Sequence, residues 1–320
     1  MIKNQWYSIL SSSDININQI VSVKRCGLNL VLFRDSDSKL SCLSEYCPHR
    51  GASLSLGKLK NNCIKCPFHG IEYDKDGKCK FIPALGVAHK GDLSRFNVKK
   101  YLVIEKHNII YLWYGDDKVD KEVPFFDNII DNSYSFSEFQ DKWNTHYSRA
   151  IENQLDVVHL PFVHHNTIGR GGKTLVNGPK IIIQEQYIKT SADNEIDRGQ
   201  VPKDHNEAEI KNTSLHFLFP NIWLNNVSDK IKIIIFFAPV DEHNTILYIR
   251  FYNRLTSSKF INLIIAQIGK IGNFVVERQD KRVVITQFPK KSTLKMNENL
   301  IKGDLPIIEY RQIRNSLQNK

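Results

Sequence analysis

Two five-residue stretches, CPHRG at residues 47–51 and CPFHG at residues 66–70, each set a cysteine and a histidine on one short turn. They supply Cys47, His49, Cys66 and His69 in the order C-x-H, sixteen intervening residues, then C-x-x-H. Pro48 and Pro67 stiffen the turns, and Gly51 and Gly70 let the backbone reverse sharply. Thiolates and imidazoles held this way suit a metal. One zinc ion would take all four in a tetrahedron. A 2Fe–2S centre would take both cysteines on one iron and both histidines on the other. Zinc fingers usually keep their cysteines and histidines in separate knuckles. Here each knuckle mixes the two, which favours the mixed-ligand cluster, the Rieske type.

A second group begins in NQLDVVHLPFVHH, residues 153–165. Asn153, Asp156 and His159 fall at i, i+3 and i+6, roughly one helical face. Pro161 is expected to end that helix and let His164 swing back towards His159. Two imidazoles and one carboxylate, with other positions left open, make the preferred set for a non-haem Fe(II) that activates oxygen. The third ligand is sought in FVVERQDKRVVITQ. There Asp280 shares a predicted helical face with Val276, Val283, Val284 and Gln287. A carboxylate in an apolar stripe is costly unless it is paired or binds a metal, so Asp280 is the expected ligand. The competing explanation, a salt bridge to Arg278, Lys281 or Arg282, is weaker because those neighbours point elsewhere on the helix. His165 reads as a surface or supporting residue.

These residues need elements to place them. The chain has 320 residues, enough for two domains with real cores. Up to about residue 118 it reads as short strands with turn signals, the KDGK hairpin among them. A polar stretch, GDDKVDKEVPFFD, makes a linker. A helix is expected over about 141–160, then further strands, and a closing helix over about 259–288. The expected domains are 1–118, all-β, and 119–320, α+β. The apolar runs look too short or too interrupted to span a bilayer, and the first residues lack a signal peptide's pattern. A cytoplasmic protein without an integral membrane segment is expected. Cysteines in that setting are thiols or ligands, so Cys26, Cys42, Cys63 and Cys79 read as buried, apolar-like residues. The formal charge is +10, from 44 Lys and Arg against 34 Asp and Glu. The basic residues are scattered, so no nucleic-acid partner is expected, although an acidic docking partner would fit. No GxGxxG fingerprint is present, so a nicotinamide cofactor would bind elsewhere.

CPHRG and CPFHG, then ENQLDVVHLPFVH, then QDKRVV resemble the catalytic α subunit of the Rieske non-haem iron oxygenases, the aromatic ring-hydroxylating family. The likeness spans nearly the whole chain. It implies an N-terminal all-β Rieske domain followed by a helix-grip (START-like) antiparallel-sheet catalytic domain. It implies that Cys47, His49, Cys66 and His69 hold the 2Fe–2S cluster and that His159, His164 and Asp280 hold a mononuclear Fe(II). In that family an aspartate bridges a cluster histidine and an iron-ligating histidine, and Asp156 stands where it is expected. Asn153 precedes Asp156 by three residues rather than four, which looks more like the single-subunit, monooxygenase-like branch. The resemblance further implies a separate NAD(P)H-dependent reductase with or without a ferredoxin, a head-to-tail homotrimer, O2, and a small organic substrate that is hydroxylated, dihydroxylated or oxidatively demethylated. The rival is a Rieske electron-transfer protein fused to a ligand-binding domain without catalytic iron, which would not need His159, His164 and Asp280.

Overall fold

The computed structural model describes residues 1–116 and 118–319, so Asp117 of the expected linker and Lys320 lie outside the described residues. The chain forms two compact units, Asn4–Val123 and Pro124–Lys320, the latter joined by Met1–Lys3. Ile2 packs into the core of that second unit.

The first unit is built from three antiparallel sheets. One orders its strands Gln5–Ser11, Ile109–Tyr114, Val103–Lys106. Another runs Gln19–Arg25, Leu28–Arg34, Leu40–Ser44, Lys100–Tyr101. The third runs Lys58–Lys60, Cys63–Lys65, Glu72–Tyr73, Cys79–Phe81. The two Cys–His loops share one hydrogen-bond pattern. Cys47 N–H donates to Ala52 O at 2.9 Å and Gly51 N–H to Cys47 O at 2.8 Å; Cys66 N–H donates to Ile71 O at 2.8 Å and Gly70 N–H to Cys66 O at 3.0 Å. Gly51 and Gly70 close these turns at φ +73° and +70°, a conformation costly for other residues. Leu54, Ile64, Ile71 and Tyr73 pack around the two cysteines. Cys26, Cys42 and Cys79 are buried as expected, whereas Cys63 is only half-buried.

The second unit is a seven-stranded antiparallel sheet. Its order is Ser135–Trp143, Thr245–Asn253, Ile231–Pro239, Ile222–Ser228, Ser214–Leu218, Tyr187–Glu195, Leu175–Gln184. Alternation along the strands turns Phe217, Trp223, Ile235, Phe237, Leu247 and Ile249 into one core. Among the described residues there are four α-helices: α1 (Tyr147–Leu155), α2 (Leu160–Val163), α3 (Lys259–Val284) and α4 (Leu305–Gln318). Tyr147, Ala150, Ile151 and Leu155 of α1, Val284 of α3 and Tyr310 of α4 complete that core. His146 caps α1, its ring accepting from Ser148 N–H, and Ser258 caps α3 by accepting from Ile261 N–H.

Several elements differ from expectation. Residues 141–143, expected to be helical, end an edge strand instead; its period of two buries Ser135, Ser137 and Trp143 and pairs it with Thr245–Asn253. Pro161 does not end a helix. It sits in the first turn of α2, where a missing N–H costs nothing, and α1 has already stopped at Leu155. The helix expected over about 259–288 forms over 259–284, but its apolar run, expected to be too interrupted to span a bilayer, is long and apolar enough in composition to cross one. Gly269 does not break it: a Cβ there would come within 2.5 Å of the Phe251 ring, so the glycine lets helix and sheet close together. The last helix of the chain is α4, foreshadowed by Asp304 and Pro306 at its start.

Candidate metal centres

In the first unit the paired loops carry Cys47 and Cys66 inward, 1% and 2% exposed, and leave His49 and His69 on the surface. The Nδ1 atoms of His49 and His69 face each other at 3.1 Å. The Tyr73 hydroxyl lies 3.0 Å from Cys47 Sγ. Burial pushes the Cys66 thiol up, partly offset by hydrogen bonds from the backbone of Phe68 and His69. Desolvation, together with the charges of His49 and Arg50, holds the imidazolium of His69 below its ordinary range. Two imidazole nitrogens turned towards one another, above two sulfurs in the core, suit a group bound by all four side chains.

The second constellation joins three segments of the second unit. α1 ends at Leu155, and Asp156 caps it with extended backbone while its N–H still donates to Glu152 O. Asp156 Oδ1 then accepts from Val158 N–H at 2.6 Å, a turn that places His159 immediately before α2. α2 brings His164 back beside His159, with the two Nε2 atoms 3.3 Å apart. Asp280 comes from the C-terminal half of α3, its Oδ1 3.3 Å from His159 Nε2 and 3.0 Å from His164 Nε2. Ligand atoms of the three residues all lie within 4.8 Å of one another. Asp280 Oδ1 is buried with no well-aligned hydrogen-bond donor. An unsatisfied buried carboxylate oxygen beside two converging nitrogens fits a divalent cation.

Supporting residues surround these three. Asp156 Oδ2 lies 3.3 Å from His159 Nδ1. Gln279 Oε1 lies 2.8 Å from His164 Nδ1 and also accepts from Thr167 Oγ1 at 2.8 Å. Gln154 Nε2 donates to Asp280 Oδ2 at 3.3 Å. Gln279 and Gln154 were not singled out from the sequence, and nothing in their spacing marks them. Burial acts to raise the Asp280 carboxyl, but the close approach of the His159 and His164 rings overcomes it and brings it to about 2. Burial acts to lower His159, and Asp156 and Asp280 reverse that, raising it to about 9. Asn153 is half-buried with no partner for its amide nitrogen, while Glu152 is tied to Arg311 at 2.8 and 2.9 Å. His165 is exposed. Asp280 does not sit in an apolar stripe: the buried residues of α3 are Asn262, Ala266, Glu277, Asp280 and Val284, and Val283 faces outward.

Two family models match the chain. Residues 5–101 match the Rieske [2Fe-2S] domain, and residues 143–320 match the vanillate O-demethylase oxygenase C-terminal domain. The chain belongs to the Rieske oxygenase family. The cholesterol 7-desaturase nvd 1 of Ciona intestinalis is 31% identical over 166 residues, 50% of this chain and 34% of that protein. The chloroplastic chlorophyllide a oxygenase of Chlamydomonas reinhardtii is 31% identical over 170 residues, 53% of this chain and 26% of that protein. The chain thus spans well under two thirds of the length of the curated relatives it matches. Solved Rieske oxygenase structures share the fold over both units. NdmA of Pseudomonas putida CBB5 superposes with TM-score 0.79 at 20% identity, covering 99% of this chain and 90% of NdmA. Dicamba monooxygenase bound to dicamba gives 0.76 at 16% identity, covering 100% and 98%.

Proposed function

We propose that this chain is the oxygenase component of a Rieske-type system, an oxidoreductase that uses O2 to hydroxylate, dihydroxylate or oxidatively demethylate a cyclic or aromatic organic substrate. A separate NAD(P)H-dependent reductase, with or without a ferredoxin, supplies its electrons. The observation that carries this reading is the meeting of His159, His164 and Asp280 around one unsatisfied carboxylate oxygen. An electron carrier with a ligand-binding domain has no use for that arrangement. The match to the vanillate O-demethylase oxygenase C-terminal domain supports the demethylating form of the reaction.

When bound, the 2Fe–2S cluster would deliver electrons singly and the Fe(II) would offer open positions for activating O2. Cys47, His49, Cys66 and His69 are the proposed cluster ligands, and His159, His164 and Asp280 the proposed iron ligands. The chain's own residues prepare the second set. Gln279 accepts the Nδ1 proton of His164, which leaves Nε2 with a free lone pair. Asp156, its Oδ2 3.3 Å from His159 Nδ1, is placed to orient that ring, whose Nε2 proton a bound cation would displace. Asp280 is ionised at neutral pH and supplies the negative charge. We place the protein in the cytoplasm, where six cysteines without a disulfide among them suit a reducing compartment. We place it also in a head-to-tail trimer, in which the exposed His69 of one copy meets Asp156 of the next.

The test is iron and sulfide analysis with visible and EPR spectra on anaerobically purified protein. The expected result is a Rieske spectrum plus one further iron per chain, the latter lost in His159→Ala and in Asp280→Ala with the spectrum intact. One zinc and no sulfide would overturn the cluster assignment. Equal iron in wild type and both variants would leave an electron carrier instead.

A further inference from the structure

Helix α3 is built inside out. The side it turns inward is mostly small or polar: Asn262, Ala266, Gly269, Glu277 and Asp280, with Val284 near its end. Its outward side carries a stripe at helical spacing, Phe260, Ile264, Ile268, Ile271 and Val275, with Phe260, Ile268 and Ile271 exposed by 72%, 66% and 65%. Monomers rarely leave such a face uncovered. Residues 259–276 contain no acid. Lys259 and Lys270 lie within that run, and Arg278 and Arg282 follow it. The two acids of α3, Glu277 and Asp280, are both buried. The outward face therefore presents apolar side chains, cations and the neutral Gln267, with no acid from the helix itself.

The helix is held to the sheet of its own domain rather than standing free as a membrane span. Ser137 Oγ donates to Ala266 O at 2.6 Å, Asn253 Nδ2 donates to Asn262 O at 2.8 Å, and Lys281 pairs with Asp141 at 2.6 Å. A second copy meeting it with the same face is a poor cover, because two such faces would bring like charges together with no acid between them. An apolar stripe flanked by cations on a helix lying flat matches the interface of an anionic bilayer. We propose that the outward face of α3 is a docking surface for an anionic lipid membrane, entered sideways to the depth of the apolar side chains. This goes beyond the oxygenase reading and does not depend on it.

Vesicle flotation with the intact, cluster-loaded protein tests it. Vesicles of phosphatidylcholine alone are compared with vesicles containing phosphatidylglycerol. Wild type is expected to float with the anionic vesicles at least about tenfold more than with the neutral ones, and salt should weaken this. Ile268→Glu/Ile271→Glu is expected to reduce flotation about tenfold or more while keeping the visible spectrum and helix content of wild type. Lys259→Glu/Lys270→Glu is expected to lose about fivefold per cation. Absence of flotation with either vesicle overturns the proposal. So does undiminished flotation of the Ile268→Glu/Ile271→Glu variant. A wild-type assembly in solution that this variant dissolves would assign the face to a second copy, and capture of an acidic protein with no affinity for vesicles would assign it to a protein partner; either result also overturns it.

Discussion

Gln279 Oε1 lies 2.8 Å from Nδ1 of His164, while the next residue, Asp280, faces Nε2 of the same ring at 3.0 Å. Two consecutive residues of one helix therefore grip opposite edges of one imidazole. The first fixes its tautomer and the second shares the space its lone pair points into.

Replacing Gln279 with leucine should therefore weaken metal binding without unfolding the domain. The expected loss is about 10–100-fold in affinity for Fe(II), or for Co(II) as a spectroscopic stand-in. Gln279→Glu, which retains an acceptor, should recover most of it. Metal titration of the purified variants checks this, and equal affinity in all three proteins would make Gln279 a bystander.

Asp156 should matter more for turnover than for metal. Asn can still accept from Val158 N–H and keep the turn, but it brings no charge and one acceptor oxygen fewer towards His159. Asp156→Asn is expected to bind both metals and to be reduced normally, then to reoxidise slowly in single-turnover experiments with substrate and O2. Reoxidation at the wild-type rate would reduce Asp156 to a helix cap.

The hydroxyl of Tyr73 should raise the cluster potential through Cys47 Sγ, since a hydrogen bond to a ligand sulfur stabilises the reduced, more negative state. Tyr73→Phe removes the hydroxyl and keeps the ring. A net hydrogen-bond energy of about 0.5–1.5 kcal/mol corresponds to a fall of roughly 20–65 mV for one electron. Spectroelectrochemistry measures it; an unchanged or higher potential would contradict the contact.

Acid should destabilise the second unit through His146. Burial, with the charges of Arg314 and Lys291, depresses this histidine from 6.5 to about 2. Its Nδ1 accepts from Ser148 N–H at 3.2 Å, which requires an unprotonated nitrogen. The unfolded chain takes up a proton near pH 6.5 and the folded chain does not. Stability from this group is thus complete above about 6.5 and falls as pH drops towards the folded value, by up to about 1.4 kcal/mol per pH unit. His146→Asn can cap the same N–H without titrating. Thermal melts between pH 7 and pH 5 should show a shallower loss for the variant, and parallel curves would rule His146 out as the cause.

How much could be read from the sequence depended on whether a residue's chemistry or its surroundings decided the matter. Cysteines and histidines on tight Gly-Pro turns carry their chemistry with them, so the two loops stood out without any knowledge of the fold. The grouping of Asp156, His159 and His164 was also visible, but its geometry was misread. Pro161 seemed to stop a helix because a proline's position within a helix is not marked by its immediate neighbours. It begins α2, and the preceding turn is made by Asp156 itself. Asp280 was reached through an apolar stripe of which only Val284 is buried beside it; Val283 faces outward, and the other buried residues of the helix are small or polar, which no periodicity of apolar residues could reveal. Strand Ser135–Trp143 was missed because its buried side is largely serine, and α4 because its buried side includes Arg311 and Arg314.

Helix α3 places an exposed stripe and a buried carboxylate on one rigid rod. At about 1.5 Å per residue, Ile271 lies about 14 Å along the axis from Asp280. A rod of that length transmits a small tilt with little loss. If whatever covers the stripe alters the affinity of the His159, His164 and Asp280 group for its metal by some factor, filling that group must alter the grip on the stripe by the same factor. Occupancy at one end of α3 then reports on the other, and the two can be compared by titrating each in the presence of the other.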